Sequence, residues 1–240
     1  MNILTIGNSF SDDATRYLSQ IARSQGVRFD VVNICIGGCS LERHYRNMIG
    51  NIKDYWLCYN GGFTGFYTTL EEALLSREWD VITLQQVSHL SFKKETYYPY
   101  ITALVEFIKE CQPKAKLYLQ ETWAYEKDSD RLNNMAGYAT PEDMLADIKK
   151  AYNEVAEAEG FDGIIPSGDM MQALLENGIA KVHRDTFHAS LGVGRYALGL
   201  LWFRALTGKS VMENSFSDFD IPTTADEIAI AKKVVESFEL

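Results

Sequence analysis

The sequence predicts an α/β fold whose sheet is mainly parallel and covered by helices on both faces, and three observations carry that expectation. Short β-branched, apolar runs alternate with longer segments of helical periodicity. Such alternation implies right-handed βαβ crossovers. At 240 residues and 46% hydrophobic content the chain is large enough to cover a sheet twice. Finally, the predicted strands end in small or polar clusters: Gly7-Asn8-Ser9, Gly37-Gly38, Gln85-Gln86 and Glu121-Thr122-Trp123. All four converge on one rim, the C-terminal strand ends, where open α/β sheets bind ligands.

Taken in order, residues 2–6 form the first strand, stopped by Gly7. Residues 12–25 have helical periodicity through Tyr17, Leu18, Ile21 and Ala22, with Gly26 as a stop signal. Residues 29–36 form a β-branched strand, and 80–84 a buried one. The stretch 96–111 predicts a helix before Pro113, and 115–119 the next strand. A helix over 141–159 closes at Gly160, followed by a short strand at 163–165. Helices over 190–206 and 225–238 complete the chain. One domain over residues 1–240 is expected, with an aromatic insertion at about 41–79. In that insertion the Asn60-Gly61 pair signals a β-hairpin. A second irregular stretch, 124–140, follows the fourth strand end and is expected to wall the same rim.

Net charge is −10 and the isoelectric point about 4.9, which disfavours nucleic acid or an anionic membrane surface as a partner. The four cysteines have neither disulfide-scaffold density nor a zinc-motif spacing. No apolar run approaches the roughly 18 residues of a transmembrane helix. The absence of a signal peptide points to the cytoplasm, or to secretion or the periplasm if a leader has been removed.

Two motifs at opposite ends of the chain carry chemistry: Gly7-Asn8-Ser9-Phe10-Ser11 and Asp185-Thr186-Phe187-His188. A serine hydroxyl becomes a useful nucleophile when a histidine takes its proton and a carboxylate orients that histidine. Ser9, Asp185 and His188 supply these three groups. On the residues alone, Ser9 also reads as a helix cap and Asp185/His188 as a surface pair. The G-x-S-x-G elbow is missing its second glycine, and Phe203 stands where a phosphate-binding loop before Gly208-Lys209-Ser210 needs glycine. There is no HExxH.

With these blocks in place, the sequence resembles the SGNH, or GDSL-like, hydrolases, in a bacterial branch known as a domain of unknown function. Gly7-Asn8-Ser9 matches the block holding the nucleophile. Gly38, in Asn33-Ile34-Cys35-Ile36-Gly37-Gly38, aligns with the glycine whose N–H helps form the oxyanion hole, and Asp185-x-x-His188 matches the last block. The third block departs. Its usual asparagine falls on Val87 in Leu84-Gln85-Gln86-Val87-Ser88, so a glutamine amide, from Gln85 or Gln86, is expected to join the N–H groups of Ser9 and Gly38. The resemblance implies a three-layer α/β/α sandwich of about five parallel strands, flavodoxin-like, with the hairpin inserted.

It further implies a serine esterase using no metal or cofactor. The expected substrate is a short-chain ester, acetyl foremost, of a small molecule or glycan. Trp123, Tyr125 and His44 are candidates to face it. The alternatives are a non-catalytic glycan-binding protein on the same fold and a thioesterase or lipase-like enzyme. Oligomeric state is left open.

Overall fold

A computed structural model describes residues 1–240. Five parallel strands lie in the order β2-β1-β5-β6-β7: β1 (Asn2–Gly7), β2 (Asp30–Cys35), β5 (Val81–Leu84), β6 (Lys116–Gln120) and β7 (Gly163–Ile165). The hairpin β3 (Tyr55–Tyr59) and β4 (Gly62–Thr68) extends the β2 edge antiparallel, giving a seven-stranded mixed sheet. The sheet's two faces bury alternate residues of each strand. Ile3, Val31 and Val81 pack on one side, with helices α1 (Ser9–Thr15), α2 (Leu18–Ser24), α7 (Ser167–Glu176), α8 (Val193–Thr207) and α9 (Ala225–Glu236). Leu4, Val32 and Ile82 pack on the other, under α3 (Leu41–Gly50), α4 (Leu70–Leu75), α5 (Tyr100–Cys111) and α6 (Pro141–Glu159). The expected three-layer α/β sandwich is the fold observed.

The hairpin turns on Asn60 and Gly61, at φ 50° and 81°. A turn of this kind needs positive φ at both central residues. A side chain at Gly61 would also strike the carbonyl oxygen of Arg16, because the turn rests on the end of α1.

Some elements differ from expectation. The segment 12–25 is two helices, not one. The break follows Thr15, whose hydroxyl donates to the carbonyl of Ser11, a back-bond that loosens helices. The insertion holds α3 and α4 as well as the hairpin. Both start at side-chain caps, Ser40 accepting from Arg43 N–H and Thr69 from Glu72 N–H. Helix α7, directly after Pro166, was not anticipated. No helix is long and apolar enough to cross a membrane.

Candidate active site

The nucleophile candidate is placed by the way β1 ends. Asn8 caps α1, its Oδ1 accepting the Phe10 N–H at 3.0 Å, so Ser9 stands at the first helical position. There its own N–H has no acceptor inside the helix. The Asn8 side chain also ties three strand ends together. Its Nδ2 donates to the Cys39 carbonyl at 3.0 Å, in the loop after β2, and its Oδ1 accepts from Gln85 Nε2 at the end of β5. Gly38 lies in that loop at φ 63°, a backbone position that disfavours any side chain. Its N–H has no backbone acceptor.

The histidine comes from the loop before α8. Asp185 Oδ1 accepts the N–H groups of Phe187 and His188, both at 2.8 Å, while Oδ2 lies 2.7 Å from His188 Nδ1. The D-x-x-H spacing therefore lets one carboxylate close its own turn and orient the imidazole. Partial burial works against ionisation of Asp185, but these hydrogen bonds outweigh it and hold the carboxyl at about 2. With Nδ1 carrying the proton for that carboxylate, Nε2 is free to accept, and it lies 2.9 Å from Ser9 Oγ.

Buried contacts brace this loop. Asp13, with no exposed surface, accepts from Arg184 Nη1 and Arg195 Nε at 2.8 Å and from the Ala189 N–H at 3.1 Å. Trp123 Nε1 donates to the Phe187 carbonyl at 2.7 Å, and the Trp123 ring stacks on Phe10 at 4.0 Å. His183 is directed at the Ala124 carbonyl (3.1 Å), so it props the loop from behind. Burial keeps its pKa below the ordinary histidine value.

Five expectations need correction. Gln86 is turned away from Ser9: its Oε1 accepts the N–H groups of Leu41 and Val87, and its Nε2 donates to the Thr96 carbonyl. Gln85 faces the nucleophile's strand, but its amide is spent on Asn8. Neither glutamine lines the cavity above Ser9. The strand's alternation points them to opposite sides; buried backbone groups and Thr96 claim the Gln86 amide, and Asn8 Oδ1 accepts from Gln85 Nε2. Trp123, Tyr125 and His44 are likewise buried and do not face the cavity. Trp123 supports the histidine loop as above, and Tyr125 hydrogen-bonds Ser88 at 2.9 Å. His44 is packed against Tyr55 and Cys39, and burial drives its pKa down to about 3.

Residues 2–235 match the model of a family described as "Domain of unknown function (DUF4886)". The chain belongs to this family. A DUF4886 protein from Bacteroides uniformis is 32% identical, with a TM-score of 0.87 over 98% of this chain and 93% of that one. A Slackia heliotrinireducens protein proposed to be an SGNH hydrolase is 22% identical, with a TM-score of 0.61 over 86% of this chain and 98% of its own. An acetyl xylan esterase, AlAXEase, is 15% identical, with a TM-score of 0.57 over 86% and 100%. The DUF4886 fold is thus the SGNH one. No curated protein matches the chain.

In this DUF4886 chain the cavity above Ser9 measures about 400 Å³, and sequence reasoning missed several residues that line it: Phe10, Ser88, His89, Arg131 and Phe187. Phe187 sits inside the D-x-x-H block and Arg131 inside the irregular stretch 124–140, so position in the chain was the available signal. Beside the cavity, hairpin aromatics Trp56, Phe63 and Tyr67 wall a second depression of about 490 Å³ with Asp12, Arg16, Arg195 and Asp220. The largest depression, about 840 Å³, lies at the opposite rim around Met1, Asp80 and Lys116, away from the Ser9–His188 pair.

Proposed function

We propose that this protein is a serine esterase cleaving a short acyl ester, acetyl foremost, with a carbohydrate or other small polyol as the alcohol. One observation carries the reading: a hydroxyl, an imidazole and a carboxylate in sequence, at 2.9 and 2.7 Å, on the C-terminal rim of a parallel sheet. His188 Nε2 takes the Ser9 proton as Oγ attacks the ester carbonyl. The resulting imidazolium is held by Asp185 and returns the proton to the departing alkoxide. Water, deprotonated in turn by His188, then releases the acid from the acyl-enzyme. The oxyanion is met by the Ser9 and Gly38 N–H groups. Side chains and backbone supply every step. The acetyl preference is supported by the small cavity and by the fold shared with an acetyl xylan esterase.

The commitment of both glutamine amides elsewhere favours a second reading, a protein that binds such esters without turning them over. Hydrolysis of 4-nitrophenyl acetate separates the two. Turnover by the wild type, insensitive to chelators and reduced roughly 10⁴-fold or more in Ser9→Ala and in His188→Ala, supports the esterase. Equal rates in wild type and Ser9→Ala contradict it.

A further inference from the structure

The cavity above Ser9 contains one fixed charge, and it is positive. Arg131 lines it together with Ser9, Gly38, His89, Phe187 and His188, and no aspartate or glutamate is among the lining residues. That is unusual in a chain whose acidic residues outnumber its lysines and arginines 33 to 23. Seven other arginines find carboxylates: Arg16 and Arg195 share Asp220, Arg184 and Arg195 share Asp13, and Arg28, Arg43, Arg46 and Arg204 each have a partner, while Arg23 and Arg77 stand outside the cavity without one. Arg131 takes part in no ion pair of this kind. Even the neighbouring Asp130 is engaged by Asn134 Nδ2.

The guanidinium is nonetheless held in place. Its Cζ lies 3.8 Å over the centroid of the Phe187 ring and 5.5 Å from that of Tyr125. Stacking fixes the plane of a guanidinium while leaving its N–H edge available, and that edge matches a carboxylate two bonds at a time. The backbone beneath is anchored too. Leu132 is fully buried, and its N–H donates to Ser129 Oγ at 3.1 Å. Arg131 opens a wide helical turn, Arg131–Ala136, of the kind that recurs at functional sites. Near it, His89 titrates below the ordinary histidine value, through partial desolvation and the positive charges of Arg131 and Lys93. The neutral imidazole is thereby favoured, and Arg131 remains the one charged side chain on this wall.

A half-buried, stacked and unpaired arginine at the mouth of a cavity is a recognition group awaiting an anion. We infer that Arg131 selects substrates bearing a carboxylate close to the scissile ester. The inference rests on the esterase reading for its ester, but not for its anion. Arg131 stacks on Phe187, whose ring centroid lies 3.8 Å from that of His188, so a carboxylate held by Arg131 would belong to a group close to the scissile ester. In a protein of net charge −10, a local cation is also what offsets the general repulsion of such a substrate.

The test compares kcat/KM for charged and neutral esters of equal size. Mono-4-nitrophenyl succinate against 4-nitrophenyl butyrate places the carboxylate on the acyl side. 4-Acetoxybenzoate against its methyl ester places it on the alcohol side. In the wild type at least one charged ester should be preferred over its neutral counterpart, and the pair showing the preference identifies the side. Arg131→Gln should cut that charged-to-neutral ratio roughly 10- to 100-fold, the worth of charge-assisted hydrogen bonds. Arg131→Lys, which keeps the charge but not the fork, should fall between.

If Arg131 only supports Phe187, both esters lose rate together, the ratio stays put, and the inference is overturned. It is equally overturned if the wild type prefers neither charged ester. Should no ester be turned over at all, binding of benzoate against benzamide to the wild type is measured by calorimetry. Benzoate preference lost in Arg131→Gln sustains the anion site without the esterase, and equal affinity for both ligands removes it.

Discussion

The rim that carries the Ser9–His188 pair and the hairpin at the far edge of the sheet are built on opposite principles. Behind the rim, buried polar groups hold one another: Asp13 between two arginines, Asn8 between Cys39 and Gln85, Trp123 on the Phe187 carbonyl. On the hairpin, large aromatics face outward, with Phe63 57% and Phe66 72% exposed. Fixing a hydroxyl against an imidazole takes a framework that cannot shift, and buried hydrogen bonds supply it because breaking them is costly. An outward aromatic edge constrains nothing behind it. Its Trp56, Phe63 and Tyr67 contact one another edge-on and border the second depression. The contrast predicts that substitutions in the rim move stability and kcat, and that those on the hairpin leave both almost untouched.

The strongest way to break this comparison is Asp13→Ala. It leaves Arg184 and Arg195 without their shared carboxylate and frees the Ala189 N–H. A loss of about 3 kcal/mol is expected in a urea titration, together with a drop in kcat as the histidine loop loosens. A change below about 0.5 kcal/mol, the range of ordinary surface substitutions, would put the rim on the hairpin's footing.

Gln85→Leu comes next. Asn8 Oδ1 loses its donor from β5 but keeps the Phe10 N–H, so a cost of about 1 kcal/mol, the net worth of one hydrogen bond, is expected, with kcat falling through the position of Ser9. Gln86→Leu should cost similar stability, by releasing Leu41, Val87 and Thr96, with a smaller effect on kcat.

How much of this was legible in the chain follows the same division. Strand and helix order was readable because buried parallel strands and their covering helices leave strong periodic patterns. Ser9, Asp185 and His188 stood out because short motifs with fixed spacing placed them, and Gly38 because the family resemblance did. The D-x-x-H spacing even has a local cause, since Asp185 closes the turn containing His188. The glutamines were misread because a side-chain amide is an equally good partner for a buried backbone group, and nothing in Gln85-Gln86 says which groups lie nearby. Asp13 and Arg131 were missed for the same reason. Their partners come from distant segments, Arg184 and Arg195 for one and Phe187 and Tyr125 for the other. Helices α3 and α4 were hidden by the aromatic signal of the hairpin between them, though Ser40 and Thr69 were readable caps.

A smaller effect sharpens the comparison within the buried region itself. Unlike Asp13, Glu121 has no paired cation and accepts only the N–H groups of Gly168 and Asp169, at 2.9 and 3.3 Å. Burial first, then the charge of Asp169, pushes its carboxyl up to about 8. A folded-state value above the unfolded one means the folded protein binds the extra proton, so stability falls as pH rises from about 4.5 to about 8. Glu121→Gln should flatten that fall, as read by melting temperature at pH 5 and pH 8. An unchanged slope would show that the decline belongs to other groups. The least effect is expected for Phe66→Ala on the hairpin, within about 0.5 kcal/mol in stability.

The central claim is that Ser9 is a nucleophile activated by His188. Its most direct measurement is intact mass after treatment with a fluorophosphonate, which phosphonylates an activated serine and displaces fluoride. The account predicts a single adduct on the wild type, mapped to Ser9 by peptide analysis. The adduct should be absent from Ser9→Ala and strongly slowed in His188→Ala, with both variants shown to be folded. A folded wild type that takes no adduct, or one whose adduct persists undiminished in Ser9→Ala, would contradict it.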